Sequence, residues 1–231
     1  MAVSTYVDRY KGWRYGAFRW RYELSIAQKI GLALGMACLT GLMAQIRFPV
    51  PWSPVPITGQ TFAVLLSGVL LGRWYAGLSQ GLYAGIGACG VPWFAGWSSG
   101  ISYLSGATGG YIIGFILAAL LLGYFTDTFI NSRKFLPMLG LMLFANFVLI
   151  HGTGLLWLNT FPYEEWLKAH PILGLGPYEG RGLLALAMVG TIPYILGDIT
   201  KAVGAAALAK GITPKEAYNG EVDVGRRWRI P

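Results

Sequence analysis

Between Arg73 and Asp127 the chain carries 53 consecutive residues without a formal charge. A spanning helix needs roughly 20 apolar residues, so this run holds two crossings and a loop. The pattern recurs. Seventeen uncharged residues separate Lys29 from Arg47, 25 separate Arg47 from Arg73, and 29 separate Lys134 from Glu164. From Gly182 to Ala209 the only charges are Asp198 and Lys201. Charged residues make up 12% of the chain, about half the share usual in a soluble domain. These gaps predict an all-α integral membrane protein. It would be a six-transmembrane-helix bundle with spans near 28–46, 60–72, 74–91, 109–126, 136–157 and 183–209. The second span is short and follows a proline-rich entry, so it is expected to be tilted or partly irregular.

Orientation follows from where Lys and Arg fall. With the N-terminus inside, fourteen lie on the inner side: Arg9, Lys11, Arg14, Arg19, Arg21, Lys29, Arg73, Arg133, Lys134, Lys210, Lys215, Arg226, Arg227 and Arg229. Three lie outside, namely Arg47, Lys168 and Arg181, beside Glu164, Glu165 and Glu179. Both termini are therefore expected in the cytoplasm. Three parts follow: a basic aromatic interfacial extension at 1–26, a membrane-embedded substrate-binding domain at 27–210, and a basic tail at 211–231. In "RYKGWRYGAFRWRYE" arginines alternate with aromatics. So close to a first span, that composition reads as an interfacial anchor rather than a nucleic-acid surface. No small-residue cleavage site marks it as a signal peptide.

Two stretches are irregular. "FPVPWSPVPITGQ" (48–60) holds four prolines and is expected as an extended outer connection. "GVPWFAGWSSGISYLSGATGG" (90–110) is uncharged and rich in Gly, Ser and aromatics, as suits ordered extracellular loops over a cavity. Glycines spaced by four suit close helix packing in lipid. The first span carries two such rows, Gly31/Gly35 and Ala33/Ala37/Gly41, enough to pack inside and also dock an outside partner. Cys38 and Cys89 are expected as small buried residues. His151 and His170 lack a ligand-type neighbour at helical spacing and are read as structural.

Motifs for catalysis are missing from the sequence. It contains no G-x-x-x-x-G-K-[ST], G-x-S-x-G, H-E-x-x-H or paired-Cys signature. What remains is Asp198 and Lys201, on one helix face at i, i+3. A charge at mid-span costs about 2.5–3.5 kcal/mol and marks a functional site by default; the competing reading is an internal salt bridge. Asp accepts and Lys donates, so the pair complements a ligand bearing N–H groups beside a carbonyl or carboxylate. Thr58, Gln60, Ser98, Ser99 and Thr108 add neutral polar groups, and Trp93, Phe94, Trp97 and Tyr111 could cover an apolar ring. The residues point to a small polar-headed molecule in a mostly apolar cavity without naming it.

Four segments in order, "IRFPVPWSPVPITGQTFAVLLSG", "VPWFAGWSSG…SGATGGYIIGF", "HGTGLLWL" and "PYILGDITKAVGAAA", resemble the signatures of the BioY family. These are the biotin-specific substrate-binding subunits (S components) of energy-coupling factor (ECF) transporters. The resemblance spans about 27–210. It implies a non-enzymatic subunit of the cell membrane that captures biotin from outside. The binding residues it implies are Asp198, Lys201, Thr58, Gln60, Phe94, Gly96, Tyr111 and Trp157. It also implies docking through Ala33 and Ala37 onto a transmembrane T component, with two ATPase subunits supplying energy. No cofactor is expected, and biotin is the transported ligand. After "FAG" the family carries further glycines where this chain has Trp97 and two serines. Two other readings stay open: the same fold with another vitamin or a biotin precursor, and a membrane enzyme using Asp198 or His151 as base.

Overall fold

The computed structural model describes residues 2–161, 182–217 and 221. Lys168, Arg181, His170 and the outer glutamates 164, 165 and 179 lie outside the described residues, as do Arg226, Arg227 and Arg229.

The helices are α1 (Ala2–Glu23), α2 (Ile26–Gln45), α3 (Gln60–Leu71), α4 (Arg73–Ala88), the single turn α5 (Ile101–Leu104), α6 (Gly109–Thr128), α7 (Phe135–Leu158), α8 (Leu183–Gly190) and α9 (Ile195–Ile212). Each uncharged run thus contains at least one helix. Among the described residues, four segments are long and apolar enough to cross a membrane: α2, α6, α7 and the α8–α9 unit. Ser25 caps α2, and Gln28 returns the bond to complete a capping box.

At twelve residues, α3 is about 18 Å long, well short of a bilayer core. Its side chains are buried nearly all round, including Ala63, Val64, Leu65, Leu66 and Val69. A helix apolar on every face belongs in the middle of a bundle, and α3 packs against α2, α4, α6, α7 and α9. Beside it Gln80 of α4 donates to Ser79 (2.9 Å), Ser67 (3.4 Å) and Thr40 (3.4 Å). These bonds tie α2, α3 and α4 together where lipid offers no competitor.

The proline-rich connection is non-helical, as expected, but it turns at Pro51–Trp52 rather than running extended. It closes with a short antiparallel ladder, β1 (Arg47–Phe48) against β2 (Ile57–Thr58), pairing Arg47 with Thr58 and Phe48 with Ile57. This hairpin is a small departure from an all-α fold. α1 was read from sequence only as an anchor; it is a full helix, held by Arg21. That guanidinium donates to the Val69 carbonyl (3.1 Å) and to Asp127 (2.6 Å), while Asp127 accepts the Arg73 amide (2.9 Å).

Ala33 and Ala37, expected to dock a partner, are fully buried in this chain, on the inward face with Thr40 and Ala44. The outward small row is Gly31/Gly35, where an added Cβ would meet nothing within 4 Å. Cys38 shares that outward side and, like Cys89, is exposed rather than buried.

Candidate functional site

The last span is broken. α8 ends at Gly190, Thr191 leaves helical geometry, and Ile192–Tyr194 makes a 3₁₀ turn around Pro193 before α9 begins. Such a break exposes carbonyls that must find new donors. Val189 receives Ser53 Oγ (2.7 Å), and Gly190 receives Tyr111 Oη (2.7 Å). Tyr194 donates to the Val55 carbonyl (2.6 Å), pinning the proline-rich connection over the break. Asp198 lies in the first turn of α9, where the helix dipole favours a carboxylate.

A π-turn at Ala145–Ile150 interrupts α7. Its extra residue turns Asn146 and His151 inward, a common role for such turns at functional sites. Both are buried. Asn146 Nδ2 reaches Asp198 Oδ2 at 3.0 Å and His151 Nε2 reaches the same oxygen at 2.7 Å. The other carboxylate oxygen takes Lys201 Nζ at 2.5 Å and Thr61 Oγ1 at 3.3 Å. A carboxylate offers about four acceptor positions, and all are occupied. Lys201 has three protons: one goes to Asp198, one to the Thr58 carbonyl at 2.8 Å. Its third is spare. His151 has no ligand-type residue three or four positions away, so its sequence neighbourhood marks it as structural, whereas its partner stands 47 residues on. The rule that singled out Asp198, an ionisable group within a span, applied equally to His151.

These groups border a cavity of about 520 Å³, counting its open mouth. Its polar lining includes Thr58, Gln60, Thr61, Tyr103, Thr108, His151, Asp198 and Lys201; Val55, Pro56, Ile112, Phe115 and Ile150 form apolar walls, with Tyr111 and Tyr194 alongside. Thr58 donates to Gln60 Oε1 (2.8 Å), whose amide donates to Tyr83 (2.6 Å), so the Gln60 amide is oriented. Burial raises the Tyr103 phenol above its ordinary range, keeping it a neutral hydrogen-bonding group at physiological pH.

Five of the eight expected site residues therefore line one cavity: Asp198, Lys201, Thr58, Gln60 and Tyr111. Phe94, Gly96 and Trp157 do not. Phe94 is wholly buried behind the lining, stacked on Tyr103 at 4.8 Å between ring centres. Gly96 turns the loop with φ +74°, where a side chain would run into the Arg47 guanidinium. Trp157 donates to the Gly106 carbonyl (3.0 Å) and braces the turn into α6. All three lie in the motifs because they hold the loop that carries Tyr103 and Thr108. Trp93 and Trp97 are likewise outside the lining, as are Ser98 and Ser99.

Chemically the cavity offers donors, acceptors and one ion pair. No group of three or more His, Cys, Asp or Glu that could hold a metal occurs among the described residues. Such a lining is suited to holding a molecule by hydrogen bonds and shape.

The chain is similar to known proteins in sequence and in fold. A crystal structure of the S-component for biotin from an ECF-type ABC transporter shares the fold, with a TM-score of 0.64 at 20% identity over 81% of this chain and 93% of that one. The probable biotin transporter BioY of Methanothermobacter thermautotrophicus is 53% identical over 168 residues, 72% of this chain and 100% of that protein. The biotin transporter BioY of Thermotoga maritima is 31% identical over 170 residues, 69% and 82% of the two chains. A model of the BioY family matches residues 17–217, and the chain belongs to that family.

Proposed function

We propose that this chain is a biotin-binding S component, a multi-pass subunit of the cell membrane that captures biotin from outside and transfers it with an ECF module. The observation that carries the reading is the Asp198–Lys201 pair at the base of an otherwise neutral cavity, roofed by the hairpin and the 90–108 loop. Biotin's ureido ring brings two N–H donors and a carbonyl, and its valerate tail ends in a carboxylate. The spare Lys201 proton suits an oxygen of the ligand. Thr61 makes the longest bond to Asp198, and its position is the one a ureido N–H would take. Ile112, Phe115 and Tyr111 suit the apolar ring.

Six crossings with both termini cytoplasmic fit the fourteen-to-three distribution of Lys and Arg, with α3 and α4 completing the four longer spans. Catalysis and cofactors have no part in this role. Energy would come from a separate T component and two ATPase subunits. Isothermal titration of biotin into the purified protein, beside Asp198→Asn and Lys201→Ala, tests the proposal. Tight binding weakened at least about tenfold by each, about 1.4 kcal/mol, is expected. Tight binding untouched by either would reduce the pair to a structural salt bridge, and absence of binding by the folded protein would overturn biotin as the ligand.

A further inference from the structure

α1 is tied along its length to the ends of other helices. Tyr10 donates to the Gly211 carbonyl in the last turn of α9. Eleven residues later, about 16 Å along the axis, Arg21 holds Val69 and Leu70 in the last turn of α3 and Asp127 in the last turn of α6. Between them Phe18 is buried, with the Arg133 guanidinium 4.4 Å from its ring centre. A helix fixed at two separated points to the ends of three others lies along the plane of those ends. It does not project away from them.

Its surface divides into three faces. Arg14, Phe18 and Arg21 are buried on the bundle. One position earlier each time, about 100° round the helix, stand Trp13, Ala17 and Trp20, continued by Tyr6. Tyr6, Trp13 and Trp20 are 71%, 58% and 55% exposed. Two positions from the buried face, on the far side, are Gly12, Gly16, Arg19 and Glu23, all exposed. The aromatic flank opens onto a groove that it shares with Leu32, Leu70 and Ile212, near the ends of α2, α3 and α9.

An aromatic stripe at this level meets the boundary between lipid headgroups and acyl chains, where Trp and Tyr are enriched. The charge fits as well. Residues 1–29 hold six Lys and Arg against Asp8 and Glu23, and the exposed cations among them, Arg9, Lys11 and Arg19, are drawn to an anionic leaflet. We infer that α1 is an interfacial helix, its Tyr6–Trp13–Ala17–Trp20 flank sunk into the headgroup layer of an anionic membrane and its Gly12–Gly16 face in water.

Spin labels on the full-length protein in vesicles test this, in a Cys38→Ala/Cys89→Ala background. Ala17→Cys lies in the flank. Gly12→Cys and Gly16→Cys report the far face, where an added Cβ meets nothing within 4 Å. In phosphatidylglycerol-containing vesicles the label at 17 should collide with oxygen and be shielded from a water-soluble nickel chelate, with the reverse at 12 and 16. Trp13→Ser/Trp20→Ser should abolish the difference while helix content by circular dichroism is retained. Equal nickel access at all three sites would overturn the proposal. So would a label at 17 shielded from both reagents, which would mean a protein partner or second copy covers the flank. Equal depth in pure phosphatidylcholine would overturn the role given to anionic lipid.

Discussion

Removing the Asp198 charge should cost more stability than removing the charge of Lys201, although the two are partners in one ion pair. The carboxylate is 3% exposed and the lysine 17%. Asp198→Asn keeps the shape but presents an amide N–H to donors on one side and strips Lys201 of its counter-charge. Breaking a buried pair in this way costs about 3–5 kcal/mol. At about 2–4 °C per kcal/mol for a chain of this size, the unfolding midpoint should fall by about 6–20 °C. Lys201→Met leaves Asp198 with His151, Asn146 and Thr61, and should cost only about 1–3 kcal/mol. The double variant should recover part of the loss, since it leaves neither charge of the pair buried without its partner, yet it should not recover biotin binding. Thermal unfolding in detergent, with and without biotin, reads all of this. A Lys201→Met loss larger than that of Asp198→Asn, or a double variant that regains binding, would refute the reasoning.

Other outcomes follow from the same geometry. His151→Phe should weaken biotin binding at least about tenfold (about 1.4 kcal/mol), whereas His151→Gln, which keeps a donor for Asp198, should lose less; equal losses by titration would rule out the donor role. Gly114→Ala drives a Cβ to 2.5 Å from Thr153 Oγ1 and 2.6 Å from the Ile150 Cα, and should destabilise by about 1–3 kcal/mol in thermal unfolding. Gly81→Ala meets nothing within 4 Å and should be neutral or stabilising by up to about 1 kcal/mol. Gly96→Ala must hold a left-handed backbone at about 1–2 kcal/mol against Arg47, so amide exchange at 94–100 should quicken while α3 and α6 keep their protection.

The spans were legible because charge is excluded from lipid, and the gaps between Lys, Arg, Asp and Glu mark them directly. Asp198 and Lys201 were legible for the same reason, as exceptions to that exclusion. The break at Thr191–Tyr194 had Pro193 as a signal, but the run 183–209 was read as one helix on hydropathy alone. The π-turn had no sequence signal, since it arises from packing, and with it the inward turn of Asn146 and His151 stayed hidden. α2 offered two small-residue rows of similar composition. Thr40, in register with Ala33 and Ala37, pointed to the inward one, because an intramembrane hydroxyl seeks a protein partner.

The shortness of α3 has a consequence for release. The cavity stands on its first residues, Gln60 and Thr61, and beneath them Val64 and Leu65 are sealed on every side. The molecule is thus shaped as a cup with a solid base rather than a pore with a plug. Entry through the open rim leaves the base closed, so delivery to the other side requires the helices themselves to change position against the membrane or against one another.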